Sequence, residues 1–212
     1  MAKGTKKRIL EAALDFFAEN GYAGTNIREL SESLDLGKSS LYRHFDSREE
    51  IWNAVIEMMI SYYDERFGSE DNLPQIPRST DELHEMTMRM VNFTVHDEKI
   101  VKTRKLLLTE QFRDEKARKL ATRYFMEDTE TIFERVFSQM MEAGILRKTD
   151  VHFLAFSYTA PITAYIHLCD REPEKIPETI GRTEDFIKHF INVYAAESSA
   201  EREKEIKNER NI

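Results

Sequence analysis

Apolar positions recur along this chain with a period near 3.6. Ile9, Ala13, Phe16 and Phe17 fall at spacings of three and four, which predicts a helix over residues 5–19 that stops at Asn20-Gly21. Ile27, Leu30 and Leu34 mark a second, short helix. Asn26 stands before it with Glu29 three residues on, the spacing of a capping box. Asp35-Leu36-Gly37 breaks the pattern, since Asp tolerates the left-handed conformation of a sharp reversal and Gly37 is permissive enough to begin a new helix. A third helix over residues 38–44 turns Leu41 and Phe45 inward and leaves Lys38, Ser39, Ser40, Tyr42 and Arg43 facing out. Two short helices joined by a tight turn, with donors and cations on the outer face of the second, suit a DNA major groove.

The same periodicity runs through the rest of the chain. Ser47 and Glu50 repeat the capping-box spacing and open a fourth helix over residues 48–67, carrying Ile51, Val55, Met58, Met59, Tyr62 and Tyr63. Residues 68–78 hold two prolines and read as a loop. Ser79 or Thr80 caps a fifth helix that ends near His96-Asp97, and a sixth covers residues 98–112. Residues 114–143 contain neither Pro nor Gly and predict one long helix stopped by Gly144. Thr149 or Asp150 caps an eighth, to about residue 170, with a kink expected at Pro161. After a loop at 171–177 a ninth helix spans 178–196, and from residue 197 a charged tail without aromatics should fray. The expected fold is all-α, with about nine helices: an N-terminal three-helix helix-turn-helix domain and a C-terminal helical domain. Scarce glycine (7) and proline (5) favour the same class.

Charge sharpens this picture. The net charge of −8 argues against general affinity for nucleic acid. Residues 1–48, however, carry eight Lys/Arg against seven Asp/Glu, while the remainder holds 23 against 32. An acidic body would repel DNA and leave the head to approach it. Lys3, Lys6, Lys7 and Arg8 form a basic start to the chain, a candidate phosphate-contacting arm. The single Cys169 excludes an intrachain disulfide and fits a reducing cytoplasm, where a small buried hydrophobe is its ordinary role. No apolar run follows the basic start as in a signal peptide, and no stretch approaches the ~20 apolar residues of a spanning helix. The expected location is therefore cytoplasmic.

Residues 6–51 resemble the DNA-binding domain of the TetR family of transcriptional regulators. The resemblance rests on Ile9-Leu10-Glu11-Ala12-Ala13 with Phe16-Phe17, on Gly21-Tyr22 and Thr25-Asn26-Ile27, and on Leu41-Tyr42-Arg43-His44-Phe45 with Ser47-Arg48-Glu49-Glu50-Ile51. Asn26, Asp35 and Gly37 depart from the family's usual Ser/Thr, Gly and Ser. The resemblance implies a head at residues 1–48, an effector-binding and dimerisation domain at 49–197, and a tail at 198–212. It also implies that Tyr42 and His44 contact phosphate. Arg28, Lys38, Ser39 and Ser40 are the base-reading candidates; Lys6, Asn26, Arg43 and Arg48 complete the expected DNA-facing set. Arg48 lies in the first turn of its helix beside bare N–H groups, so both could meet one phosphate; beside Glu49 and Glu50 it also reads as an ordinary surface arginine.

Beyond the head the resemblance implies a small-molecule effector and dimerisation through the last two helices. Met59, Tyr62, Tyr63, Met86, Met90, Phe93, Phe112, Tyr124 and Phe125 are the pocket candidates, although at helical spacing any one of them is also ordinary core. Phe156, Tyr165, Phe186, Phe190 and Tyr194 are the dimer candidates, the last three on one stripe. The expected partners are double-stranded operator DNA, a second copy of the chain and an effector, with no membrane, cofactor or metal. The implied mechanism is that effector binding changes the separation of two heads on a palindromic operator, most simply as release of a repressor. Enzyme readings find little support. No histidine has Glu three residues before it, as a ferritin-like di-metal bundle requires, and neither a Gly-rich phosphate loop nor a nucleophile context is present. A helical protein-interaction module is the other alternative; it leaves the helix-turn-helix pattern unexplained.

Overall fold

A computed structural model of the chain describes residues 2–67 and 75–196. Its helices are α1 (Ala2–Gly24), α2 (Ile27–Ser33), α3 (Lys38–Leu41), α4 (Arg48–Phe67), α5 (Thr80–His96), α6 (Glu98–Glu110), α7 (Glu115–Thr122), α8 (Asp128–Glu142), α9 (Val151–Arg171) and α10 (Ile176–Tyr194). A π-helical turn, Arg123–Glu127, follows α7, and a 3-10 turn, Pro173–Lys175, precedes α10. Among the described residues there is no strand beyond an isolated bridge between Leu146 and Ala195, and no helix long and apolar enough to cross a membrane. The fold is all-α, as the periodicity predicts. Most of the expected loop before α5, and the tail from residue 197, lie outside the described residues.

Short polar side chains set the helix starts by satisfying orphan N–H groups. Asp97, Asp114 and Asp150 accept the N–H of Ile100, Ala117 and Phe153 at 3.0, 2.8 and 2.8 Å. Asp97 thus opens α6 rather than closing α5, and Asp150, not Thr149, opens α9. Ser79 rather than Thr80 caps α5, its hydroxyl accepting the Glu82 N–H at 3.1 Å. Ser47 Oγ accepts the Glu50 N–H at 3.0 Å, and the Glu50 carboxylate accepts the N–H of Asp46, one residue outside the expected box. At α2 only half the box forms. Asn26 Oδ1 accepts the Arg28 N–H at 2.9 Å, while Glu29 binds the Asn26 side-chain amide at 3.1 Å.

Three expectations are corrected. The helix expected over residues 114–143 is divided by the π-helical turn. Ala117, Leu120, Ala121 and Tyr124 are buried on one face, whereas the buried residues of α8 fall at Ile132, Phe133, Val136, Phe137, Met140 and Met141. That face comes one residue later than an uninterrupted 3.6-residue repeat would put it, and a π-turn inserts one residue. α1 begins three residues earlier than expected and is carried to Gly24, but Gly21 has φ 70 and ψ 172, so the expected break is real. The regular part of the third helix ends at Leu41, whose carbonyl accepts both the His44 and the Phe45 N–H, rather than at His44. Asp35 takes φ 54, the left-handed conformation expected of it.

The chain divides into two compact units. In the first, which holds the described residues 2–67 and 96–124, α1 packs against α4 and α6, and α2 against α3. Its core includes Ile9, Leu14, Phe17, Leu30, Leu41, Phe45, Ile51, Met59 and Leu106, each 2% exposed or less. In the second, which holds the described residues 75–95 and 125–196, α8 packs on α9 and α9 on α10. Tyr158 lies at its centre, with ring centroids of Phe190, Phe133 and Phe137 4.5, 4.9 and 5.2 Å away. The Tyr158 hydroxyl is 2.8 Å from Thr87 Oγ1, which donates to the Leu83 carbonyl, and burial pushes the phenol's pKa far up. Gly144 at φ 70 closes α8 with paired bonds, Gly144 N–H to Met141 O and Ile145 N–H to Met140 O.

Candidate nucleic-acid interface

The recognition surface is built on an apolar underside. Leu41 and Phe45 are 0% and 1% exposed, so the opposite side of the short α3 and its following turn is what faces solvent. Lys38, Ser39, Tyr42 and Arg43 are exposed there, and Ser40 and His44 are half-buried. The Lys38 ammonium sits 5.9 Å from the centre of the Tyr42 ring, so the cation and the phenol share one patch. Lys6, some forty residues away in sequence, joins them: its Nζ lies 4.9 Å from the Phe45 ring centre. The start of α1 thus lies against the end of the α3 segment through the Phe45 ring.

Arg28 and Asn26 are exposed at the start of α2. Arg28 Nε is 2.7 Å from Glu32 Oε1, a solvent-exposed pair one helical turn long. Solvent screens such a pair, so it holds the guanidinium only weakly. Arg48 is half-buried and engaged with its own chain. Its guanidinium stacks 4.5 Å from the Tyr22 ring centre, and one terminal N–H group lies 3.4 Å from both the Ala23 and the Thr25 carbonyls. Arg48 therefore braces the end of α1. Tyr22 in turn packs on Phe17 and Trp52 at 6.0 and 5.3 Å. Nothing in the sequence singles out that brace, since i to i+26 contacts have no periodic signature.

The nine pocket candidates divide between the units. In the first, Tyr63 stacks on Tyr124 at 3.9 Å and bonds its carbonyl at 3.2 Å, and the Tyr62 hydroxyl donates to Asp97 at 2.7 Å. Met59 is buried, and Phe112 is 87% exposed. In the second, Phe125 sets its ring edge-on to His167 at 5.4 Å, and Met90 and Phe93 are half-buried. Met86 lines a recess of about 210 Å³ with Gln75, Ile76, Pro77, Arg78, Glu82 and Arg89, a more polar set than expected. A shallower one of about 420 Å³ lies along α5 at His84, Glu85, Met88, Arg89 and Asn92. Among the described residues no three His, Cys, Asp or Glu side chains gather as a metal site would need.

The dimer candidates also separate. Phe156 is 50% exposed, Tyr165, Phe186 and Tyr194 are half-buried, and Phe190 is 4% exposed. Phe190 is a correction: its ring is enclosed by Phe137, Tyr158, Phe186 and Tyr194 of its own chain, which leaves little of it for a partner. Phe153, absent from the expected set, is 63% exposed. With Phe156, Ala160 and Ala164 it follows the three- and four-residue spacing of a single α9 face, a signal the sequence does contain.

Residues 9–55 match the family described as "Bacterial regulatory proteins, tetR family". Over 58 residues the chain is 38% identical to the biofilm operon icaADBC HTH-type negative transcriptional regulator IcaR of Staphylococcus epidermidis, covering 27% of this chain and 31% of that protein. The chain thus spans about a third of the length of the curated relatives it matches. Over nearly its whole length it resembles the crystal structure of a TetR transcriptional regulator from Chloroflexus aurantiacus. The TM-score is 0.73 at 18% identity, with 92% of this chain and 98% of that chain covered. It also resembles a regulator from Saccharomonospora viridis solved in complex with choline, with a TM-score of 0.65 at 16% identity and coverage of 92% and 100%. At these identities the structures speak for the fold.

Proposed function

This chain belongs to the TetR family of bacterial regulatory proteins, and from that we propose that it is a dimeric cytoplasmic repressor, released from a palindromic operator by a small-molecule effector. The observation that carries the DNA-binding part is the exposed patch of Lys38, Ser39, Tyr42 and Arg43 over the buried pair Leu41 and Phe45, with Lys6 against the Phe45 ring. Lys38, Ser39, Ser40 and Arg28 read bases; Lys6, Tyr42, Arg43 and His44 hold phosphates; Asn26 orders α2 at the groove through its cap. Arg48 acts indirectly, by fixing the turn between α1 and α2. Repression is the sign borne by the regulator from Staphylococcus epidermidis, to which the chain is similar over 58 residues.

Dimerisation is assigned to the outer face of α9, where Phe153 and Phe156 stand beside Ala160 and Ala164. The choline complex of the Saccharomonospora viridis regulator supports a small molecule as effector.

The test is selection of bound fragments from genomic DNA by the purified chain, followed by footprinting and a salt titration. Two protected half-sites about one helical turn apart are expected, with log affinity falling linearly with log salt. Protection of one half-site, or a flat salt dependence, would contradict paired heads. A compound screen should find a binder that raises the melting temperature and weakens operator affinity together.

A further inference from the structure

Helix α6 is fastened to α1 by polar contacts that no motif announces. Lys99 Nζ lies 3.8 Å from Glu11 Oε1 and Lys102 Nζ 2.7 Å from Asp15 Oδ1. At the far end the Glu110 carboxylate, 3% exposed, accepts the backbone N–H of Tyr22 at 3.0 Å. Positions 11, 15 and 22 of α1 thus meet 99, 102 and 110 of α6, so the two helices run in the same direction. The first two pairs are partly exposed and contribute modestly. The third differs in kind, because a carboxylate taken out of water needs its partners.

That contact falls on the most unusual backbone in the unit. Gly21, at φ 70 and ψ 172, occupies a region essentially closed to other residues. A Cβ there would lie 2.6 Å from Glu110 Oε1. Gly21 is therefore required twice, by its own dihedral and by the approach of the carboxylate. From this kink the chain turns into α2. Thr25 Oγ1 bonds the Gly21 and Phe16 carbonyls at 2.8 and 3.1 Å, the Tyr22 ring lies under Arg48, and Asn26 follows as the cap. The break in α1 leaves the Tyr22 N–H in need of an acceptor, and Glu110 supplies it.

We propose that Glu110 is a positioning residue for DNA recognition: its carboxylate latches the Gly21–Tyr22 kink and thereby sets the angle at which α1 delivers α2 and α3 to the duplex. This rests on the DNA-binding reading above. Because the latch acts on orientation and not on bases, its loss weakens all operator sequences alike.

The experiment uses full-length Glu110→Ala, Glu110→Gln, Gly21→Ala and the Gly21→Ala/Glu110→Ala double variant, each checked for folding by circular dichroism. Hydrogen exchange of the Tyr22 amide and emission of Trp52, the only tryptophan of the chain and 5.3 Å from the Tyr22 ring, report on the latch without DNA. Operator affinity reports on its use. Glu110→Ala should speed Tyr22 exchange and weaken folded protein for every operator variant, each by about tenfold, the scale of one buried N–H left unpaired. Glu110→Gln keeps an acceptor oxygen and should stay near wild type. Gly21→Ala should cost less affinity in the Glu110→Ala background than in the wild type, since the 2.6 Å clash is gone there. Unchanged Tyr22 protection in Glu110→Ala overturns the proposal. So does full operator affinity despite lost protection, which would leave Glu110 a mere brace, and so does strict additivity of the two substitutions. Failure of the DNA-binding reading itself shows earlier, in a wild-type protein that retains no operator.

Discussion

Phe190→Ala should unfold the α8–α10 unit before it dissociates any dimer. The Phe190 side chain is 4% exposed, and its ring centroid lies 4.5 Å from Tyr158, 4.7 Å from Tyr194 and 5.7 Å from Phe137. A phenylalanine buries at least ~150 Å², and at ~25 cal/mol per Å² its burial is worth about 4 kcal/mol. Truncation of buried phenylalanines costs ~3–5 kcal/mol, in agreement. Typical native stability is only ~5–15 kcal/mol, so the variant should lose a large share of it. Phe156→Glu makes the opposite prediction. Phe156 is 50% exposed, so its replacement costs the isolated chain little, on the order of 0.5 kcal/mol. A carboxylate there would nonetheless be forced into an apolar seam. Denaturant unfolding followed by circular dichroism, paired with sedimentation equilibrium, separates the two. Phe190→Ala should show a much lower unfolding midpoint, and Phe156→Glu a near-native midpoint as a folded monomer. The reasoning fails if Phe190→Ala keeps the wild-type midpoint yet sediments as monomer. It fails equally if Phe156→Glu remains a dimer with full operator affinity.

Two further outcomes are expected. Lys38→Ala should relax preference at one base position of each half-site by about 1–3 kcal/mol, read on a panel of mutated operators; an equal loss on all sites would make Lys38 a phosphate anchor. His152, whose Nδ1 is 2.7 Å from Glu134, has its pKa raised, first by that hydrogen bond and then by the carboxylate's charge. The folded value lies above the unfolded one, so the pair stabilises fully below about pH 6.5 and the effect fades as pH rises through the raised value. His152→Gln should flatten that part of the midpoint-versus-pH curve, and an unchanged curve would remove His152 from the account.

The head was legible because its information is local. Caps, the Asp35 reversal and the inward pair Leu41 and Phe45 are set by residues within a few positions of each other, and the structure realises each. Elsewhere the same reasoning met its limit where contacts between distant residues decide. A run without Pro or Gly carries no mark of the one-residue phase change between α7 and α8; only the burial of Tyr124 and Phe133 reveals it. Arg48 looks like any surface arginine until Tyr22 and the Ala23 and Thr25 carbonyls are brought to it. Phe186, Phe190 and Tyr194 share a stripe, and periodicity says that a stripe is covered without saying by what; here Tyr158 and Phe137 of the same chain cover much of it.

Helix α9 shows the same limit. Its sequence is apolar nearly all round, which by itself says that more than one side must be covered. The structure divides the burden. Leu154, Ala155, Tyr158 and Ile162 are at most 7% exposed, whereas Phe153 and Phe156 remain at 63% and 50%. An isolated exposed phenylalanine needs no explanation, but two on one face, one turn apart and followed by Ala160 and Ala164, form a stripe with bulk at one end and room at the other. A second α9 crossing there could set its phenyl rings over the alanines of the first, so that each copy fills what the other leaves open. A two-fold axis imposes this self-complementary pairing of large against small. On the proposed reading of paired heads, the same residues that would be a liability on a monomer become the seam of the dimer.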